Sequence, residues 1–195
     1  MTNARTLGNI GRNADLEDGG GGLTLLSKDT ITTAVSAVDI TLPAAYTRYR
    51  LVLEGFKTEN FTNCLRLSYD GGSTFATGTA YAYRVLFATF GASTVSYSGY
   101  SGDSAAIVSY AFGGSNTNQP YENNSTFNII NNAVLFSYEG GGNLHDNAGT
   151  DTQMVFTGRR VQTAKADTLR FVLAFHATSQ ITAGTISLYG YRETV

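Results

Sequence analysis

The stretch Leu67-Ser68-Tyr69-Asp70-Gly71-Gly72-Ser73-Thr74-Phe75, LSYDGGSTF, decides how the chain is read. An Asp followed by two glycines can cradle a phosphate, wrap a metal ion or turn the chain round. A phosphate loop needs a helix behind its glycines, with the helix N-terminus aimed at the anion. Here Thr74-Phe75 leads to Tyr81-Ala82-Tyr83, an alternating segment, and no Lys stands beside the glycines. Asp-Gly and Gly-Gly accept the positive φ of a tight turn. The stretch therefore predicts a hairpin between two strands.

The period of two continues in both directions from that turn. Val38, Ile40 and Leu42 alternate with polar or small residues, as do Tyr49, Leu51 and Leu53, and then Leu65, Leu67 and Tyr69. Tyr81, Tyr83, Val85 and Phe87 form a further set. Phe127 and Ile129, Val134, Phe136 and Tyr138, Met154 and Phe156, Leu169, Phe171, Leu173 and Phe175, and Ile186 and Leu188 follow. No segment of ten residues carries a helical stripe, and the best helix candidate, 161–167, is too short to exceed a turn. The 12 Tyr and 11 Phe suit pleated surfaces. The pattern predicts an all-β fold: an antiparallel β-sandwich, jelly-roll-like, with about eight to ten strands.

Composition narrows the function. Charged residues make up 14% of the chain, well below the roughly 25% of an average soluble domain, and Ser, Thr, Asn and Gly carry the polarity instead. That surface suits a protein held in an assembly. The formal charge is −2 and no basic run occurs, which argues against nucleic acid as a partner. Arg159 and Arg160 are neighbours, but adjacent strand residues point to opposite faces and form no common patch. Cys64 is the single cysteine, so no intrachain disulfide is expected, and its apolar setting predicts an inert buried thiol. No apolar run reaches the roughly 18 residues of a membrane span, so no membrane partner is expected. The first residues lack the apolar core of a signal peptide, and synthesis and folding in a cytoplasm are expected.

Residues 1–22 differ from the rest. They close on Asp18-Gly19-Gly20-Gly21-Gly22 and read as an arm and tether ahead of a body over 23–195. Leu7, Ile10 and Leu16 are spaced along this arm with Arg5 and Arg12 among them, the make-up of an anchoring peptide. Two long polar connections, 113–120 and 139–151, are expected within the body, where a rigid sandwich carries binding surfaces. Tyr97, Tyr100 and Tyr121 either pack on the sheets or serve as interface or sugar-stacking residues, and Asn143, His145 and Asp146 lie in the second connection.

Catalytic and metal chemistry find little support. Asp146, Asn147 and Asp151 offer oxygen ligands without the spacing of a calcium loop. One Cys and two His at unrelated spacings make no zinc set. No Gly-x-Ser-x-Gly elbow occurs, and the acidic residues cannot be paired into a glycosidase couple from the sequence. The expectation is no enzyme, no catalytic residue, no metal and no cofactor.

Several segments carry a likeness. They are Leu25-Leu26-Ser27, then Asp39-Ile40-Thr41-Leu42-Pro43-Ala44-Ala45-Tyr46 continuing to Glu54, then Leu65 to Phe75 around the Asp-Gly-Gly turn, and finally Asp167-Thr168-Leu169-Arg170-Phe171 with Ile181 to Gly190. Together they resemble virion structural proteins of tailed bacteriophages, over about residues 24–191. The arm segment Ala4-Arg5-Thr6-Leu7-Gly8-Asn9-Ile10-Gly11 resembles the N-terminal segments of phage fibre and decoration proteins. The resemblance implies a capsid decoration or cement protein in the virion, bound to the major capsid protein or another virion protein and forming a homo-oligomer, with a trimer as the guess. The alternative it implies is the head of a tail or head fibre that binds a receptor or a host-surface glycan.

Overall fold

The computed structural model describes residues 22–58, 62–77, 81–91, 95–110, 121–145, 151–173 and 180–192. Arg5, Leu7, Ile10, Arg12 and Leu16 lie outside these, as do Asp146 and the 113–120 connection. Among the described residues there are twelve strands and no helix. In chain order they are β1 (Leu23–Ile31), β2 (Ala37–Thr41), β3 (Arg48–Thr58), β4 (Thr62–Ser68), β5 (Tyr81–Thr89) and β6 (Val95–Asp103). The second half adds β7 (Ala106–Tyr110), β8 (Tyr121–Asn131), β9 (Leu135–His145), β10 (Asp151–Val161), β11 (Thr168–Leu173) and β12 (Ile181–Tyr191).

The strands form two antiparallel sheets, one of eight strands in the order β1-β12-β3-β8-β9-β10-β5-β6 and one of four in the order β2-β11-β4-β7. The expected antiparallel sandwich is the fold adopted, with more strands than the alternation had suggested. Eight strands pair in a nested way, β1 with β12, β2 with β11, β3 with β8 and β4 with β7. The hairpins β5–β6 and β9–β10 extend the larger sheet beyond β8.

The core sits between the sheets, and the period of two places it. Tyr49, Leu51 and Leu53 of β3 are at most 1% exposed, as are Leu65 and Leu67 of β4 and Leu169 and Phe171 of β11. The apolar phase of β3 then slips by one residue to Phe56. A bulge at Gly55, with φ 56°, absorbs the slip, and its N–H donates to Asn124 Oδ1 at 2.7 Å. Phe127 stacks on Phe156 with ring centroids 4.6 Å apart, and Phe171 meets Phe127 edge-on from the smaller sheet. Cys64 is buried, as expected. Val134 belongs to no buried set and stands 70% exposed at the β8–β9 turn.

Two local expectations need correction. The Asp-Gly-Gly turn does not close a hairpin, because β4 and β5 belong to different sheets. The turn instead carries the chain from one layer to the other. Gly71 and Gly72 do take positive φ, 72° and 85°. The Asp70 carboxylate accepts bonds from Ser68 Oγ at 2.7 Å, the Thr74 N–H at 2.8 Å and Thr74 Oγ1 at 2.6 Å. These bonds favour the charged form, so its pKa is lowered to about 2.

The second correction concerns the 139–151 connection. Residues up to His145 form β9, and Gly140-Gly141-Gly142 lie inside that strand. A Cβ at Gly140 would stand 2.1 Å from the Thr126 carbonyl and 2.6 Å from the Phe156 ring. One at Gly158 would meet the Tyr138 ring at 2.3 Å. These glycines are packing devices that let aromatic rings lie flat on the backbone of the next strand.

Candidate functional site

The larger sheet buries one face and leaves the other to solvent, so every cross-strand pair on the outer face is a surface feature. Its neighbouring strands β5 and β10 break the apolar-in, polar-out rule side by side. In Val85-Leu86-Phe87 and Met154-Val155-Phe156 the outward residue is apolar as well. Leu86 pairs with both Val155 and Tyr97, which puts Tyr97, Leu86 and Val155 in one row across β6, β5 and β10. They are 79%, 51% and 57% exposed. Val95, at 68%, continues the apolar surface along β6. Contiguous exposed apolar surface on a closed sandwich marks an interaction site.

Two rows run beside this one. Gly99, Arg84, Thr157, Glu139 and Asn128 face one another in register from β6 to β8. Ala82, Arg159, Ser137, Ile130 and Arg48 form the next row, from β5 to β3. A depression lies between the two. Its wide part has a volume of 910 Å³ and takes Arg84, Leu86, Tyr97, Tyr100 and Arg159 into its walls, with Gly99 leaving the floor open. A narrower part of 260 Å³ continues over Ser137, Thr157 and Glu139 to Arg48 and Tyr191. Ser137 and Thr157 line both parts, so the two form one trench running across the strands. The Arg48 guanidinium lies 5.1 Å over the Tyr191 ring at the far end. Of the charged groups in these walls, three are cationic (Arg48, Arg84, Arg159) and one, Glu139, is anionic.

The sequence-named residues divide into two places. Tyr97 and Tyr100 share the wide end of the trench, and both sit on strand β6 and not on a loop. Tyr100 pairs with Tyr83 on the inward side of the pleat but stays 61% exposed, because β6 is an edge strand. Asn143 and His145 are exposed on β9, again a strand where a loop had been expected, and Tyr121 opens β8. Asn143 pairs with Gln153 on the same outer face, and His145 Nδ1 lies 2.5 Å from Asp151 Oδ1. Across β8, Glu122 faces His145 and contacts Lys57 at 3.6 Å. This polar end of the sheet is separate from the trench. Among the described residues no group of three or more His, Cys, Asp and Glu could hold a metal ion.

Arg84, Leu86, Val155 and Arg159 were not singled out from the sequence. Their signal was present in part: an apolar residue in the polar phase of a strand, twice. The opposite orientation of Arg159 and Arg160 was expected and is observed. Arg159 is exposed on the outer face, whereas the Arg160 guanidinium lies 5.2 Å from each of the Tyr69 and Tyr81 rings. Compared with models of known families, with characterised proteins and with solved structures, the chain matches none of them.

Proposed function

We propose that this chain is a non-enzymatic structural component of a tailed-bacteriophage particle, a decoration or cement protein. Its residues 1–22 fasten it to the major capsid protein or another virion protein, and its sandwich is displayed outward. The reading rests on the resemblance of the 39–54, 65–75, 167–171 and 181–190 segments to such proteins. The observation that carries it is the exposed row Tyr97–Leu86–Val155, an apolar contact surface on a body whose core is otherwise closed. The nested pairing supports it too: read as a jelly roll with two added hairpins, it is an architecture that capsid proteins share with lectins. A homotrimer displayed in many copies gains avidity from weak contacts.

Removing residues 1–18 tests the reading. The shortened chain is expected to fold with unchanged far-UV circular dichroism and to lose attachment to particles. Attachment at full strength would contradict the proposal.

A second reading is favoured by one observation. Tyr97, Arg84 and Arg159, with the Ser101 and Thr157 hydroxyls, line a groove whose ring face and guanidinium groups suit an acidic saccharide. A fibre head that binds a host glycan would use it so. On a glycan array, selective binding lost in Tyr97→Ala, with particle attachment unchanged, would favour this reading over decoration.

A further inference from the structure

We propose that the trench on the outer face holds the chain's own N-terminal segment, residues 7–18, while the protein is free of any particle. This is independent of the virion reading, because it concerns the isolated chain. The first argument is where the described chain starts. The Arg192 N–H donates to the Gly22 carbonyl, and Leu23 pairs with Tyr191. Tyr191 lines the narrow end of the trench, so Gly22, the first described residue, stands beside its mouth.

The second argument is length. From β1 to β6 the sheet takes seven strand-to-strand steps, roughly 34 Å at the usual spacing. An extended segment covers that in about ten residues. The chain has 21 residues ahead of Gly22, and Gly19, Gly20 and Gly21 supply a tether able to reverse direction.

The third argument is charge. Arg48, Arg84 and Arg159 outnumber Glu139 in the trench walls. Within 13–18 the segment Asn13-Ala14-Asp15-Leu16-Glu17-Asp18 is acidic, with no Lys or Arg. Laid along the trench from its mouth, this acidic part falls against the arginines, and Ile10 and Leu7 reach the apolar end at Leu86 and Tyr97. The segment would then be stored on its own sheet and surrendered when a partner competes for it.

Limited trypsin digestion of the full chain tests this at Arg12. Cleavage there is expected to be slower than in a synthetic peptide of residues 1–22. The double variant Arg84→Glu/Arg159→Glu is expected to speed it about fivefold, the size suited to a few exposed ion pairs. The arm variant Asp15→Asn/Glu17→Gln/Asp18→Asn should do the same, and it decides the matter if the sheet variant fails to fold. Cleavage as fast as in the free peptide overturns the proposal. So does protection that neither variant relieves, or protection that appears only as protein concentration rises, which would mean the arm of a second copy.

Discussion

Gly158 faces the Tyr138 ring across the β9–β10 register, at the 2.3 Å separation a Cβ would have from it. Gly158→Ala must push a fully packed aromatic aside, and overpacking of this kind costs about 1–3 kcal/mol. Urea unfolding should show that loss, whereas Gly91→Ala, with open space and a φ of 85°, should cost about 1 kcal/mol from backbone strain alone. Asp70 offers a second test at this scale. Its carboxyl is lowered from 3.8 to about 2 by the Thr74 and Ser68 bonds. A depressed folded-state pKa stabilises the fold fully above the unfolded value and loses that contribution as pH falls toward the folded one. Between pH 4 and pH 2 the Asp70→Asn variant should therefore lose less stability than the parent, as read by thermal melting across that range. Equal slopes would mean that the turn bonds do not persist in solution.

Among the elements, two buried side chains, Gln162 and Asn131, help to fix the link from β10 to β11. Gln162 accepts from the Tyr69 hydroxyl at 2.7 Å and donates to Asn131 Oδ1 at 3.2 Å and to the Asn132 carbonyl. Asn131 in turn holds both backbone groups of Ala166. Gln162→Ala takes from the Asn132 carbonyl the amide donor that Gln162 supplies, at a cost of about 1–3 kcal/mol, measurable by denaturant midpoint. A change under ~0.5 kcal/mol would show that water replaces the side chain without loss. This network was not legible in the sequence, since its members come from three distant segments and none carries a local period. The strands were legible wherever one phase was apolar, as in Tyr49-Arg50-Leu51-Val52-Leu53. β9 was legible only in its first part, at Phe136 and Tyr138, because Gly140-Gly141-Gly142 reads as a turn until the Thr126 carbonyl and the Phe156 ring that crowd Gly140 are known. For the same reason Asp70-Gly71-Gly72 gave the turn but not the sheet change: φ is a local property and pairing is not. At the trench, Tyr97 and Tyr100 were visible as exposed aromatics, while Arg84 and Arg159 joined them only through the β5–β10 register.

As a whole molecule, the chain joins a two-sheet body to a leading sequence of opposite character. The body carries its core between the sheets and an open apolar row at the β6 end of the larger one. The leader carries spaced apolar residues, an acidic run and a glycine tether. A free chain can satisfy both by laying one on the other, and a particle can satisfy them by taking the leader away. On the proposed reading, function resides in which surface the leader occupies. The most direct measurement is a reconstruction of particles decorated with the full-length chain, at a resolution that traces residues 1–22. If the proposed role in a virion holds, Leu7, Ile10 and Leu16 are seated against a neighbouring protein of the particle with the sandwich facing outward. Finding those residues free of every neighbour, while the sandwich itself makes the attachment, would contradict it.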